Sequence, residues 1–335
     1  MLRTAVLGTG HYVPERVVTN DELAKVMTTS DEWIQQRTGV QTRRYVDFDT
    51  APMGTSDLAT RAAERALAAA QVSKDDIDLI VYATLSPDKV FPGDGVLMQA
   101  KLDIPAGVPA LDVRNQCSGF LYGLATADAF IRTGSYRRVL LVGAEVHSTG
   151  LDFSDRGRDI SVIFGDGAAA VVLGPTEEKG RGVLSVKLHA DGRYATELEA
   201  AYPSSAVNPR IDVEHIAAGA HFAHMNGKNV FKHAVARMPE AVMEVLAETG
   251  LTPNDIDLFI PHQANLRITE MVTRRLELSP DKVVSNIQRY GNTTAASIPL
   301  ALDECVQAGR VKPGSLVCMA AFGSGFTWGA ALVRW

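Results

Sequence analysis

The chain has 335 residues, 46% hydrophobic and 21% charged, with 33 Lys and Arg against 39 Asp and Glu for a net charge of −6. That balance describes an ordinary globular protein and excludes a nucleic-acid footprint spread over the whole surface, while leaving room for a local basic patch. Three cysteines with no C-x-x-C pair argue against a disulfide framework and for a reducing compartment. The apolar stretch at the start is too short for a signal peptide, and no run reaches the ~18–20 apolar residues that cross a bilayer, so a cytoplasmic location is expected.

Along the chain, Gly8-Thr9-Gly10 looks at first like a dinucleotide-binding turn. It fails the rest of that pattern: the third glycine is missing, Pro14 follows, and no acid stands ~20 residues on after a second strand. Residues 66–81 then form a helix-turn-strand passage whose strand is entered through Asp76-Ile77-Asp78-Leu79. Residues 245–260 repeat the same build, entered through Asp255-Ile256-Asp257-Leu258, about half a chain length later. An offset this long is no solenoid and implies two α/β halves related by a pseudo-twofold, 1–175 and 176–335, in one compact unit. Apolar runs at 79–83, 139–144, 168–173, 258–261 and 316–321 read as strands buried on both faces. Asp75-Asp76 and Asn254-Asp255 fall in turns, where Asp and Asn are common, and are assigned to structure rather than chemistry.

Three separate segments carry chemistry. Asn115-Gln116-Cys117-Ser118-Gly119-Phe120 sets a cysteine between a strand and a helix of small residues. The helix dipole is expected to lower the Cys117 pKa and supply thiolate at neutral pH, and backbone N–H groups there can bind an oxyanion. Cys305 and Cys318 read instead as buried hydrophobes. Pro261-His262-Gln263-Ala264-Asn265 puts an imidazole at a strand end, where the active sites of α/β sheets collect, and Gly291-Asn292-Thr293-Thr294 sets a carboxamide in a turn. His262 and Asn292 both donate hydrogen bonds without a fixed charge, which suits the thioester enolate left when a carboxylate departs as CO2. Glycine-rich 320–326 lets backbone approach closely, and its Ser324 N–H can complete the oxyanion site with that of Cys117. A Cys-His-Asn hydrolase is the rival, but it needs Asn to orient His, whereas Asn292 occupies a turn of its own. The remaining histidines, His147 among them, have no metal-ligand spacing, so no zinc site is expected.

With these residues in view, the chain resembles the 3-oxoacyl-[acyl-carrier-protein] synthase III family of the thiolase superfamily, essentially end to end. The motifs that carry the resemblance are Gly8-Thr9-Gly10, Thr29-Ser-Asp-Glu-Trp-Ile34 with Arg37-Thr-Gly39, Cys117-Ser-Gly-Phe120, Asp155-Arg-Gly157, Phe164-Gly-Asp-Gly-Ala168, His262-Gln-Ala-Asn-Leu-Arg267, Gly291-Asn-Thr293 and Phe322-Gly-Ser-Gly-Phe-Thr-Trp-Gly329. The resemblance implies a thiolase-like five-layer αβαβα fold, a homodimer, and ping-pong acyl transfer without a cofactor, acyl-CoA and malonyl-ACP being substrates. Cys117 would be acylated, malonyl-ACP would lose CO2 with its enolate held by His262 and Asn292, and the carbanion would attack the acyl-Cys117 thioester. The resemblance further assigns Trp33 and Arg156 to a sandwich around the CoA adenine, and Arg37 to its phosphates with Thr29 nearby. Stacking and forked hydrogen bonding make those types apt. Phe91 would line the acyl pocket of a partner subunit, and Lys232, Arg267, Arg274 and Arg275 would dock the acidic carrier protein.

Three features depart from the familiar pattern: bulky Arg114-Asn115-Gln116 before the nucleophile, Lys228 where an Asn is usual, and a long stretch at 200–224. They leave the primer open between acetyl-CoA and a longer or branched acyl-CoA, a choice worth only ~1–3 kcal/mol per methylene. The condensation would start fatty-acid synthesis or prime a polyketide or special lipid, and two other functions stand beside it: an acyltransferase of the same fold delivering to an O or N acceptor without decarboxylation, and a non-catalytic partner subunit.

Overall fold

A computed structural model describes residues 2–335. Nine strands make two sheets. The first contains β1 (Arg3–Tyr12), β2 (Leu79–Ala83), β3 (Ala110–Val113), β4 (Val139–Glu145) and β5 (Gly167–Thr176), in spatial order β1-β5-β4-β2-β3. The second contains β6 (Gly182–Ala190), β7 (Leu258–Pro261), β8 (Leu316–Gly323) and β9 (Thr327–Arg334), in order β7-β8-β9-β6.

The two sheets share one wiring. From β1 the first runs antiparallel, antiparallel, parallel, parallel. From β6 the second runs antiparallel, antiparallel, parallel, and a parallel bridge between Phe259 and Val283 stands where the counterpart of β3 would lie. Asp76 and Asp255 end matching 3-10 turns, Lys74–Asp76 and Pro253–Asp255, each leading into a parallel-paired strand, β2 and β7.

Layering follows from the alternation of side chains along each strand. Leu79, Val81, Val139 and Leu141 face a central layer made of helix α2 (Gly119–Arg132) and helix α5 (Ser297–Gln307), which also meets Leu258, Ile260, Val317 and Met319 of the second sheet. Ile80, Tyr82, Leu140 and Val142 face outward onto α1 (Thr55–Ala70). Phe259, Leu316 and Cys318 face outward onto α3 (Gly227–Thr249) and α4 (Leu266–Arg275). Helix, sheet, helices, sheet, helices: five layers, with both sheets covered on both faces, which is why their strands read as unbroken apolar runs. Gly8 and Gly10 serve this packing. A Cβ on either would stand 2.3 Å from Ala70 N or 2.4 Å from Ala66 N, so α1 can lie on β1 only because the side chains are missing. No helix among the described residues is long and apolar enough to cross a membrane.

Candidate active site

Cys117, the expected nucleophile, sits where β3 gives way to α2 through a 3-10 turn, Gln116–Ser118. Gln116 holds φ at 44°, and that left-handed residue reverses the chain so that Cys117 is presented at the head of the helix. Two contacts clamp the turn against the end of β8 and the start of β9. Ser118 Oγ lies 2.7 Å from Thr327 Oγ1. Gly323 comes so close that a Cβ there would lie 2.7 Å from Cys117 Cβ.

Cys117 is only 7% exposed. Its acidity runs opposite to the expectation from helix position. Burial, with a smaller push from the Glu145 carboxylate, drives the thiol up to about 12, while the backbone N–H groups of Cys117 and Ser324 at the sulfur pull the other way. Desolvation of a thiolate in a closed site outweighs the partial charge of one helix start, so the resting side chain is a thiol. Cys318 and Cys305 are buried in the apolar packing, as expected.

His262 follows β7, its N–H donating to Ala320 O at 2.8 Å. The imidazole is 3% exposed; Nδ1 is 2.6 Å from Ser297 Oγ, and Nε2 is buried with no partner. Burial takes its pKa down to about 3, so it is neutral and can act only through hydrogen bonding or proton uptake at Nε2. Gln263 locks the loop behind it, donating to Pro261 O and Val284 O and accepting from Asn286 N–H. Asn292 is 4% exposed, and its backbone is tied on both sides: N–H to Ile163 O at 2.9 Å, and O from Gly165 N–H at 3.1 Å. Its Oδ1 accepts the Thr294 N–H at 2.8 Å, leaving the carboxamide NH2 as the free end.

The turns carrying these groups pack together: Gln116–Ser118 against Thr294–Ala296 and against β8, which pairs with the strand leading to His262. A cavity of about 800 Å³ opens onto Cys117 between Phe164, His147, Thr294 and Ser324. His262 and Asn292 do not lie on its open wall. Arg114 and Gln116 do, as do His221 and Ala223 of the long 200–224 stretch, so two of the three departures from the familiar pattern shape this space, and Lys228 does not line it.

Outside the residues that line this cavity, Trp33 stands on the short helix Asp31–Thr38, capped by Ser30 Oγ accepting the Trp33 N–H. Arg37 lies over its ring at 5.4 Å and Arg158 at 4.7 Å. Arg156, the expected partner of Trp33 across a CoA adenine, does not lie over this ring. Arg156 is held elsewhere: Nε ion-pairs with Asp152 at 2.6 Å, Nη1 donates to Ala218 O at 3.0 Å, and the guanidinium covers Phe222 at 5.3 Å. Arg158, two residues on, takes the Trp33 face and donates to Thr28 O. Thr29 lies in the same segment, its Oγ1 buried and unpartnered.

Known proteins share this architecture and sequence. A family model described as 3-oxoacyl-[acyl-carrier-protein (ACP)] synthase III matches residues 111–192, and its C-terminal companion matches 246–335. A β-ketoacyl-[acyl-carrier-protein] synthase III from Rhodospirillum centenum is 48% identical, covering 100% of this chain and 99% of its own. The chain belongs to the 3-oxoacyl-[acyl-carrier-protein] synthase III family. Among solved structures, the synthase III of Aquifex aeolicus superposes with a TM-score of 0.90 at 42% identity, covering 99% of this chain and 100% of its own. The synthase III of Thermus thermophilus gives 0.90 and 42%, with 99% of each chain covered. As a synthase III family member the chain is an acyltransferase with a thiolase-like fold.

Within that synthase III framework the basic residues divide. Lys232, Arg267 and Arg274 are exposed on α3 and α4, with Arg267 over the Phe231 ring at 5.7 Å. Arg275 has a structural task. Its Nη1 donates to Val235 O at 2.7 Å, the carbonyl that Pro239, lacking an N–H inside α3, leaves without its helical partner. Phe91 is 82% exposed and is absent from the cavity wall of its own chain. Sequence reading missed Arg158, Ser297 behind His262, Glu145 and His147. The first lies two residues from the Arg that the motif singles out, and the others acquire meaning only from neighbours distant in sequence.

Proposed function

We propose that the chain starts fatty-acid synthesis by condensing an acyl-CoA primer with malonyl-ACP, with Cys117, His262 and Asn292 as the reacting set. The observation that carries this is a buried cysteine with two backbone N–H groups at its sulfur, in a site whose imidazole burial keeps neutral. In the first half-reaction the Cys117 sulfur attacks the acyl-CoA carbonyl, the S–C bond forms, and CoA leaves. The proton lost by Cys117 balances the one CoA sulfur takes up. The N–H groups of Cys117 and Ser324 hold the oxyanion of the tetrahedral intermediate.

In the second half-reaction malonyl-ACP loses its carboxylate as CO2, and the electron pair passes to the thioester as an enolate. His262 Nε2 and the Asn292 carboxamide donate to that enolate oxygen. Neutral donors suit the task, because a buried imidazolium beside the malonyl carboxylate would stabilise the ground state as well as the transition state. The enolate carbon then attacks acyl-Cys117, forming the C–C bond, and the Cys117 sulfur leaves and is reprotonated. Transfer to an O or N acceptor without decarboxylation is not favoured for a member of this family.

Trp33, Arg158 and Arg37 form the CoA-binding face, with Thr29 beside them, and Lys232, Arg267 and Arg274 receive the acidic carrier protein. The chain works in the cytoplasm without a cofactor. No cluster of His, Cys, Asp and Glu among the described residues could hold a metal ion. A second copy covers Val90 and Phe91, the two most exposed large apolar side chains of the 85–93 loop, and receives Phe91 at its acyl pocket. The two halves, 1–175 and 176–335, contribute the nucleophile and the decarboxylation pair respectively.

Incubation with acyl-CoA and malonyl-ACP, following CO2 and the mass of Cys117, tests the reading. An acyl adduct on Cys117 and CO2 release matched to 3-oxoacyl-ACP are expected; an adduct with no CO2 would refute condensation.

A further inference from the structure

His147 has no part in the chemistry above, yet it occupies the cavity wall beside Cys117. Its backbone is anchored by Asp166, whose carboxylate accepts the N–H of His147 at 2.7 Å and of Ser148 at 2.9 Å, and also that of Val46 at 2.8 Å. The imidazole is 8% exposed and tilts against Phe164, ring centroids 4.8 Å apart. Its Nε2 lies 2.7 Å from Thr294 Oγ1. Burial keeps the ring neutral, so it meets the Thr294 hydroxyl through an uncharged hydrogen bond.

Thr294 is an unusual residue to find there. Its φ is 48°, in the left-handed region that glycine enters freely and a β-branched residue enters at a cost. Strain of this kind persists only where the surroundings over-determine it. Here two bonds hold it: the hydroxyl to His147, and the N–H to Asn292 Oδ1 at 2.8 Å. A glycine would fit the turn without strain but would have no hydroxyl to tether. The threonine makes sense if the tether is what matters.

We propose that His147 is a positioning residue for the decarboxylation half-reaction, fixing through Thr294 the turn that orients the Asn292 carboxamide toward the enolate oxygen. This rests on the role of Asn292 given above. The reach is short: one imidazole, one hydroxyl and one backbone N–H separate His147 from the carboxamide. A buried histidine that merely fills space would be replaceable by leucine without loss of chemistry.

The test uses the whole chain and two readouts, acyl mass on Cys117 from acyl-CoA and CO2 release from malonyl-ACP. The variants are His147→Leu, His147→Gln, Thr294→Val, Thr294→Ser, the double His147→Leu/Thr294→Val, and Asn292→Ala as reference. His147→Leu and Thr294→Val are each expected to slow CO2 release about ten- to a hundredfold, the scale of a misplaced donor, with the KM for malonyl-ACP and the loading step within about twofold. His147→Gln, which can still bond the hydroxyl, and Thr294→Ser are expected to recover most of the rate. The double variant should be no slower than the worse single one, because both cut the same bond. Normal CO2 release in His147→Leu and Thr294→Val beside an impaired Asn292→Ala would overturn the proposal, as would additive effects or an equal loss of loading. Normal release in Asn292→Ala would instead refute the role of Asn292 itself. Should His147→Leu fail to fold, the Thr294→Val and Thr294→Ser pair carries the same test.

Discussion

The floor and the mouth of the proposed site are built on different principles. At the floor, Cys117, His262 and Asn292 are buried and held by backbone: a strand end, a reversed turn, and hydrogen bonds to Ala320, Ile163 and Gly165. At the mouth, Trp33, Arg37, Arg156 and Arg158 hold position through exposed or half-buried side chains that take whichever partner lies nearest. Buried groups have one satisfactory arrangement, because each alternative leaves an unpaired polar atom out of water. An exposed guanidinium has many, at little difference in free energy. Burial therefore fixes the arrangement of the inner groups more tightly than that of the exposed ones.

The largest effects should come from the floor. Cys117→Ser is expected to abolish acyl loading, whereas His262→Ala and Asn292→Ala should keep loading and lower CO2 release by about 10²–10³-fold each, the scale of losing an oxyanion donor. Mass of the adduct and released CO2 read the two steps separately. Loss of loading in both of the latter variants would dissolve the division between the steps.

Next comes the state of the thiol. With its pKa pushed up to about 12, the thiolate fraction of the free enzyme rises with pH throughout the working range. The rate of Cys117 alkylation by iodoacetamide should thus climb about tenfold per pH unit to at least about pH 9, since only the thiolate reacts. A plateau reached by neutral pH would mean that the helix start and the two N–H groups win over burial.

The mouth should respond more weakly. Trp33→Ala and Arg158→Ala are expected to raise the KM for acyl-CoA by a few-fold to about tenfold with kcat little changed, matching a stacking contact of about 0.5–1 kcal/mol and the loss of a phosphate partner. Arg156→Ala should do less to KM, because Asp152 and Phe222 already hold that side chain. A larger effect at Arg156 than at Arg158 would show that Arg156 leaves Asp152 when CoA arrives. The smallest contrast lies in the basic patch. Arg275→Ala should lower stability by about 1 kcal/mol through the orphaned Val235 carbonyl, seen in a thermal melt, with little change in KM for malonyl-ACP. Arg267→Ala should do the reverse, raising that KM in a salt-dependent way.

What could be read from the chain depended on how local the determinant was. The half-chain repeat, the doubly buried strands and the three reactive segments were all visible because periodicity, apolar runs and turn residues are local signals. The partner of Arg156 was not, since Asp152 lies in easy reach in sequence but Ala218 and Phe222 come from the 200–224 stretch. Nor was the hydrogen bond of Arg275, which the family resemblance assigns to docking and which meets a carbonyl left free by Pro239 of another helix. His147 was discounted for lacking ligand spacing; its partner Thr294 stands 147 positions away.

By itself the sequence determined the layered fold and the family and singled out Cys117, His262 and Asn292 as candidates, because those follow from patterns and motifs that each stretch of chain carries within itself. Tertiary structure alone decided the ionisation of Cys117, the neutrality of His262 and which arginines lie over the Trp33 ring. Those are properties of an environment: how much water is excluded, and which groups from distant segments arrive at the same place.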